Sequence, residues 1–150
     1  MTNLSHSATG ALVAVAINNP WVGLPAAFAS HFVLDAIPHW DVFPKSFMMR
    51  RVALAIDIAL TLFMLVALVL SVDAPRLLII GGAILGVFPD LMWAPYFITG
   101  KVSAKDKRTP MHLARRFHSW VQIKEFGRGF YIEISWLILI LVLLYNSHRQ

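Results

Sequence analysis

Five apolar stretches, bounded by turn chemistry, organise the chain. The first covers 5–17 and stops at Asn18-Asn19-Pro20, a turn followed by a good helix start. It is short for a membrane crossing, which takes about 20 apolar residues. The second, 20–37, is long enough to cross at a tilt and breaks at Pro38-His39-Trp40-Asp41. The third, 52–72, is the cleanest span and ends at Asp73-Ala74-Pro75. The fourth runs 76–98 to Thr99-Gly100, and the fifth, 130–145, is entered through Gly127-Arg128-Gly129. Between the last two lies a polar segment, 101–128, in which Thr109 as cap and Pro110 at the first position predict an amphipathic surface helix over 110–125. The pattern predicts an all-α fold: one membrane-embedded domain over 1–150, a polytopic bundle of about five helices with one cytoplasmic amphipathic helix.

Composition supports a bilayer. Of 150 residues 58% are hydrophobic and 14% charged, against about 45–50% and about 25% in soluble domains. There is no Cys, which excludes a disulfide scaffold or a thiolate site, so any metal must be held by His, Asp or Glu. A net charge of +5 in so apolar a chain points to an anionic membrane surface rather than to nucleic acid. Stretch 5–17 lacks the basic residues that precede the apolar part of a signal peptide, and is read as a span.

Basic residues set the direction. Lys45, Arg50 and Arg51 lie between spans two and three, and Lys101, Lys105, Lys107, Arg108, Arg115, Arg116, Lys124 and Arg128 between spans four and five. The other turns carry almost none apart from Arg76. By the positive-inside rule both basic segments are cytoplasmic, the N-terminus is inside and the C-terminus outside.

Each ionisable residue in a span costs roughly 2.5 to 3.5 kcal/mol at the bilayer centre and needs a reason. At a rise of about 1.5 Å per residue, His6, His31, Asp35, Asp57, Asp90 and Glu133 all fall in the cytoplasmic leaflet, with His39 and Asp41 just beyond span two. Structural polar residues would scatter over both leaflets, so one convergent site is the economical explanation. His31, Asp35 and His39 are spaced i, i+4, i+8; Pro38 distorts the last turn, and His39 and Asp41 alternatively approach from a short extended segment. Buried carboxylates cannot all ionise side by side without cations between them. Lys and Arg are missing at that depth, so divalent metal is the natural counter-charge. Mixed His and carboxylate ligands suit Zn²⁺ first, then Mn²⁺ or Fe²⁺, and two or three ions are expected. The candidate ligands are His6, His31, Asp35, His39, Asp57, Asp90 and Glu133. Asp41 is the candidate base. Of His112 and His118, His118 is the one expected to reach the site, as ligand or proton-transfer group, because Phe117 and Trp120 would dock its helix at the interface. Arg108, Arg115 and Arg116 are candidates for an anionic headgroup, with adhesion to anionic lipid as the alternative. Gly82 and Gly86 form a small-xxx-small pair for close helix packing, and Pro89 should kink span four and free a backbone carbonyl.

Ser30-His31-Phe32-Val33-Leu34-Asp35 resembles the S-H-x-x-x-D signature of small bacterial membrane-bound metal-dependent hydrolases of the LexA-regulated inner-membrane type. Gly86-Val87-Phe88-Pro89-Asp90 is similar to that family's G-x-x-P-D element, Phe117-His118-Ser119 to the end of its H-R-G-x-T-H-S motif, and His6 with Gly10 to its H-x-x-x-G start. Here the S-H-x-x-x-D element comes before the P-D element, whereas in family members it follows. Met92 stands where the family has the second Asp of P-D-x-D. The resemblance implies a bacterial inner-membrane protein, distantly like zinc-dependent phospholipase C, with His31, Asp35 and Asp90 as ligands. Zincin and serine-hydrolase motifs are absent.

The expected function is a membrane-embedded, metal-dependent hydrolase acting on a phosphoester of a lipid or amphiphile, its partners the bilayer and an anionic lipid substrate. A divalent-metal or proton transporter using the same cluster is the alternative; a carrier, however, needs polar groups leading out of the opposite face, where the sequence has almost none. A metal-stabilised scaffold without turnover is a third reading.

Overall fold

The computed structural model describes residues 1–40, 46–95, 109–123 and 128–147. Among them six α-helices and one 3₁₀ helix form the fold, with no strand: α1 (Asn3–Ile17), α2 (Pro20–Asp35), α3 (Phe47–Ser71), α4 (Arg76–Val87), the 3₁₀ helix Phe88–Trp93, α5 (Pro110–Val121) and α6 (Arg128–Ser147).

Helix α1 is the hub, packing against α2, α3, α4 and α6. Its sequence allows this, because Ser5, Ser7, Ala8, Thr9, Gly10, Ala11 and Ala14 are small and all buried. Small side chains let neighbouring backbones close in from several sides. The closest approach is to α4. A Cβ on Gly10 or on Gly86 would overlap a carbonyl of the facing helix, and one on Gly82 would lie 2.5 Å from the Gly10 carbonyl oxygen. The expected small-residue seam of span four therefore has its counterpart in Gly10. Asn18 ends α1 in the left-handed region at φ 50°, its amide bonded to the Ala14 and Val15 carbonyls. Asn19 then caps α2 through the Trp21 amide, with Pro20 at the first position.

Helices α1 and α6 begin two residues earlier than expected, at Asn3 and Arg128, and α4 gives way to the 3₁₀ helix after Val87 within the expected fourth span; three other boundaries also differ. Helix α2 ends at Asp35 rather than at 37, two residues short, because Pro38 follows and residues before a proline leave helical geometry. Helix α3 begins at Phe47, since Arg50 and Arg51 are good helix formers and lengthen the apolar span by a turn. Helix α5 stops at Val121 rather than at 125; Gln122 is extended there, and the Ile123 amide bonds the Asp35 carbonyl at 2.8 Å while the His39 amide bonds the Ile123 carbonyl at 3.3 Å. That backbone pairing ties the end of α5 to the end of α2.

Two helical stretches, Phe47–Ser71 and Arg76–Trp93, are long and apolar enough to cross a membrane. Only 11% of the most apolar part of the first is buried, and 33% of the second; the core helix of a soluble protein would be mostly buried. Exposed large side chains on α3 include Val52, Ile56, Leu62, Phe63, Val66 and Leu70, while His6, His31, Asp35, His39, His118 and Glu133 are inside. This polarity is the reverse of a water-soluble fold. An apolar core of Ala8, Ala11, Met64, Leu68, Val72, Ile79, Ala83, Ile140 and Leu144 joins α1, α3, α4 and α6. The polar interior gathers instead where the start of α1 meets the ends of α2 and α4.

Candidate metal centre

Helix α2 carries His31 and Asp35 one turn apart on the same face. Their side chains are fully buried, His31 Nε2 lying 3.3 Å from Asp35 Oδ2. From α1, His6 stacks on the His31 ring with centroids 4.0 Å apart, and its Nε2 is 3.2 Å from Asp35 Oδ1. His118 of α5 places its Nε2 at 3.1 Å from Asp35 Oδ2, 3.3 Å from Asp90 Oδ1 and 2.9 Å from His31 Nε2. Asp90 comes from the 3₁₀ helix, and His31 Nε2 is 3.7 Å from its Oδ1. His39 reaches in from the extended segment beyond α2, its Nε2 3.8 Å from Asp35 Oδ1 and its Nδ1 2.8 Å from the Ile37 carbonyl. The amino group of Met1 also lies 3.3 Å from Asp35 Oδ1.

Pro89 shapes this arrangement. At Val87 the helix tightens to 3₁₀ geometry, in which residue 90 donates three residues back rather than four. The Gly86 carbonyl is thereby open to His31 Nδ1, at 2.7 Å. A donating Nδ1 leaves the lone pair on Nε2, the atom that faces Asp35 and Asp90; metal-binding histidines are held in the same way, one ring nitrogen donating to a carbonyl while the other is free for the ion.

Among the described residues two groups of donor atoms are compact enough to hold an ion: His6, His31 and Asp35, and His31, Asp90 and His118. Donor atoms about 2.1 Å from a tetrahedral ion are about 3.4 Å from one another, and the nitrogen to oxygen separations of 3.1 to 3.7 Å given above match that edge. Both ring nitrogens of His6 are buried without an aligned hydrogen bond. Orphaned polar atoms of this kind need an explanation, and a cation among them supplies one. Buried His and Asp thus fit a metal ion.

His118 lies outside the long apolar helices. Burial alone would lower its pKa, but the Asp35 and Asp90 carboxylates outweigh that and raise it to about 9. Trp93 Nε1 is 3.5 Å from its Nδ1. Whether the ring is imidazolium or neutral with Nδ1 accepting from Trp93, the proton sits on Nε2, between the two carboxylates. His112 is half-buried and outside both donor groups.

Asp57 and Glu133, expected among the ligands, are placed at the first turn of α1. Asp57 Oδ2 accepts from the Asn3 amide at 2.8 Å and from Asn3 Nδ2 at 2.7 Å, and its Oδ1 from the Leu4 amide at 3.2 Å. Glu133 Oε1 accepts from the Thr2 amide and hydroxyl, each at 2.6 Å, and from the Ser5 hydroxyl at 3.0 Å. Neither belongs to a compact donor group among the described residues. They satisfy the open amides and the positive end of the helix that carries His6. Asp57→Asn, which turns one acceptor into a donor facing donors, is expected to cost about 1–3 kcal/mol of stability and leave metal stoichiometry unchanged, as read by denaturant unfolding and elemental analysis.

Arg115 is also placed differently from its expected headgroup role. It is buried, its Nε and Nη2 bond the Met92 carbonyl at 3.0 and 2.7 Å, and its guanidinium stands 5.8 Å from the Trp93 ring centre. It clamps α5 to the 3₁₀ helix and so seats His118. Arg116 is exposed. Asp41 and Arg108 lie outside the described residues. Sequence reasoning missed the Gly86 and Met92 carbonyls and Trp93; the proline at 89 and the Arg115 to His118 spacing on one helix face were the available signals.

Set against family models, curated proteins and solved structures, the chain finds no match in any of the three.

Proposed function

We propose that the protein is a membrane-embedded, metal-dependent hydrolase of a phosphoester in a lipid or amphiphile, built as a five-span bundle of the bacterial inner membrane with its N-terminus and α5 at the cytoplasmic face. The observation that carries this reading is the convergence of His6 and His31 nitrogens with Asp35 and Asp90 oxygens at the spacing of a metal's coordination edge. Zn²⁺ fits the mixed His and Asp donors best. His6, His31, Asp35 and Asp90 would hold it. Each imidazole Nε2 has one lone pair and that of His118 carries its proton, so the donors left to His6, His31, Asp35 and Asp90 would frame a single ion, where the count of polar residues suggests two or three. A bound divalent ion supplies Lewis acidity and brings water activation to near-neutral pH. Asp90 is the group through which the cluster opens, its side chain 26% exposed while those of Asp35 and His31 are fully covered. His118 holds its proton at Nε2 beside that opening, where it can be given to a leaving oxygen. The resemblance of 30–35 and 86–90 to the hydrolase signatures supports the same assignment.

A carrier would need a polar route through the other half of the bundle. Among the described residues that half holds the apolar cluster of Ala11, Met64, Leu68 and Ile140 and a cleft bordered by Met64, Leu68, Asp73 and Arg76, but no group of donor atoms at metal-ligand spacing, which favours turnover at one face over transit. Detergent-purified protein is expected to carry stoichiometric zinc and to hydrolyse a nitrophenyl phosphodiester or phosphomonoester, with both lost in Asp90→Ala. Metal uptake into proteoliposomes without hydrolysis would replace the enzyme by a transporter, and a metal-free wild type would remove both.

A further inference from the structure

Helix α5 has two faces of different chemistry. Arg115 and His118, three residues apart, are buried and seated on the Met92 carbonyl and the His/Asp cluster. Leu113, Phe117 and Trp120, spaced i, i+4, i+7, form the opposite stripe and are 66%, 50% and 79% exposed. Exposed Arg116 lies beside them. The stripe does not stop at the end of α5. Trp120 contacts Phe117, Phe117 contacts Phe32 of α2, Phe32 contacts Phe28, and Phe28 contacts Phe88 at the end of α4. Phe88 belongs to the outward surface of the long apolar stretch Arg76–Trp93. Whatever covers the outside of α4 is therefore in line to cover α5 as well. The charge is also specific: Arg116 follows a sequence with Lys101, Lys105, Lys107 and Arg108 against one acid, Asp106. Tryptophan and arginine beside an aliphatic stripe belong at a headgroup layer of negative charge.

We propose that α5 is seated in an anionic bilayer surface, with Leu113, Phe117 and Trp120 at the acyl boundary and Arg116 on headgroup phosphate, so that the lipid surface governs whether His118 stands in the cluster. Lipid contact on one face is transmitted through a single turn of helix to the other. The protein would then lose site integrity in neutral lipid while its helices remain inserted. The part that concerns metal rests on the zinc site proposed above.

The chain has no Cys, so a single spin label at Leu113→Cys or, in a second variant, Phe117→Cys reports the depth of α5 directly. The probes are vesicles of phosphatidylcholine alone and of phosphatidylcholine mixed with an equal amount of phosphatidylglycerol. With phosphatidylglycerol present the label is expected to collide more with oxygen than with a water-soluble nickel chelate. Arg116→Glu or high salt should return it toward water, and Arg116→Glu should weaken zinc affinity at least about five-fold, the equivalent of one basic residue's attraction to the surface. A label equally hydrated in both lipids at both positions overturns the proposal, as does dipolar broadening between labels that shows a second copy covering the stripe. Zinc absent in every lipid with the label still at the acyl boundary counts against the metal reading and upholds the seat of α5.

Discussion

Asp35→Asn is expected to abolish the zinc binding proposed for the His/Asp cluster. The Asp35 carboxylate is approached by His6, His31 and His118 at 3.2, 3.3 and 3.1 Å, so it joins side chains from three helices. Asparagine keeps the shape, removes the negative charge and points an amide donor at one of the imidazoles. Loss of an outer partner of a ligand costs about 10–100-fold in affinity, and loss of a central ligand should exceed that. The measurement is zinc content after equilibration against a buffered chelator, with helix content by circular dichroism as the control for folding. Full zinc occupancy in Asp35→Asn would mean that the cluster is a hydrogen-bonded network rather than a metal centre.

The second large effect is expected from a residue with no side chain. A Cβ on Gly86 would overlap the His6 carbonyl and lie 3.2 Å from the Gly10 Cα, both rigid backbone. Helices α1 and α4 must then separate, at a cost of about 1–3 kcal/mol as overpacking. His6 rides on one of these helices, and the Gly86 carbonyl that orients His31 is on the other. Gly86→Ala is therefore expected to lower the unfolding midpoint and to weaken zinc binding about ten-fold or more. Gly81→Ala is the internal control, because its Cβ would meet Leu24 Cδ2 at 2.9 Å, the far end of a side chain that can turn away. Equal effects of the two substitutions would separate the α1 to α4 seam from the site.

Much of the site was legible before any coordinates. His31 and Asp35 are a helical pair by spacing alone, Asp90 is marked by the proline before it, and His118 sits on a helix with an interfacial aromatic face. Depth counting brought Asp57 and Glu133 into the same group, and here it ran out for a physical reason. Depth along the membrane normal is one coordinate. It does not say on which side of α1 a residue stands, and these two bond residues 2–5 from a side that leaves them out of the His6, His31 and Asp35 group. The fate of Arg115 was hidden for a similar reason, since a long side chain can reach either water or a carbonyl across a helix contact. The early end of α2 follows from Pro38, and the extended approach of His39, one of two routes open at that point, is the consequence.

The carboxylates at the start of α1 carry a further consequence for how the chain is made. The amide of Asn3 is satisfied by a residue 54 positions later and that of Thr2 by one 131 positions later. A ribosome delivers these partners long after α1 has emerged, Asp57 with α3 and Glu133 only with α6. Until α6 arrives the Thr2 amide and the Thr2 and Ser5 hydroxyls lack their Glu133 acceptor, so the start of α1 depends on a distal part of the chain.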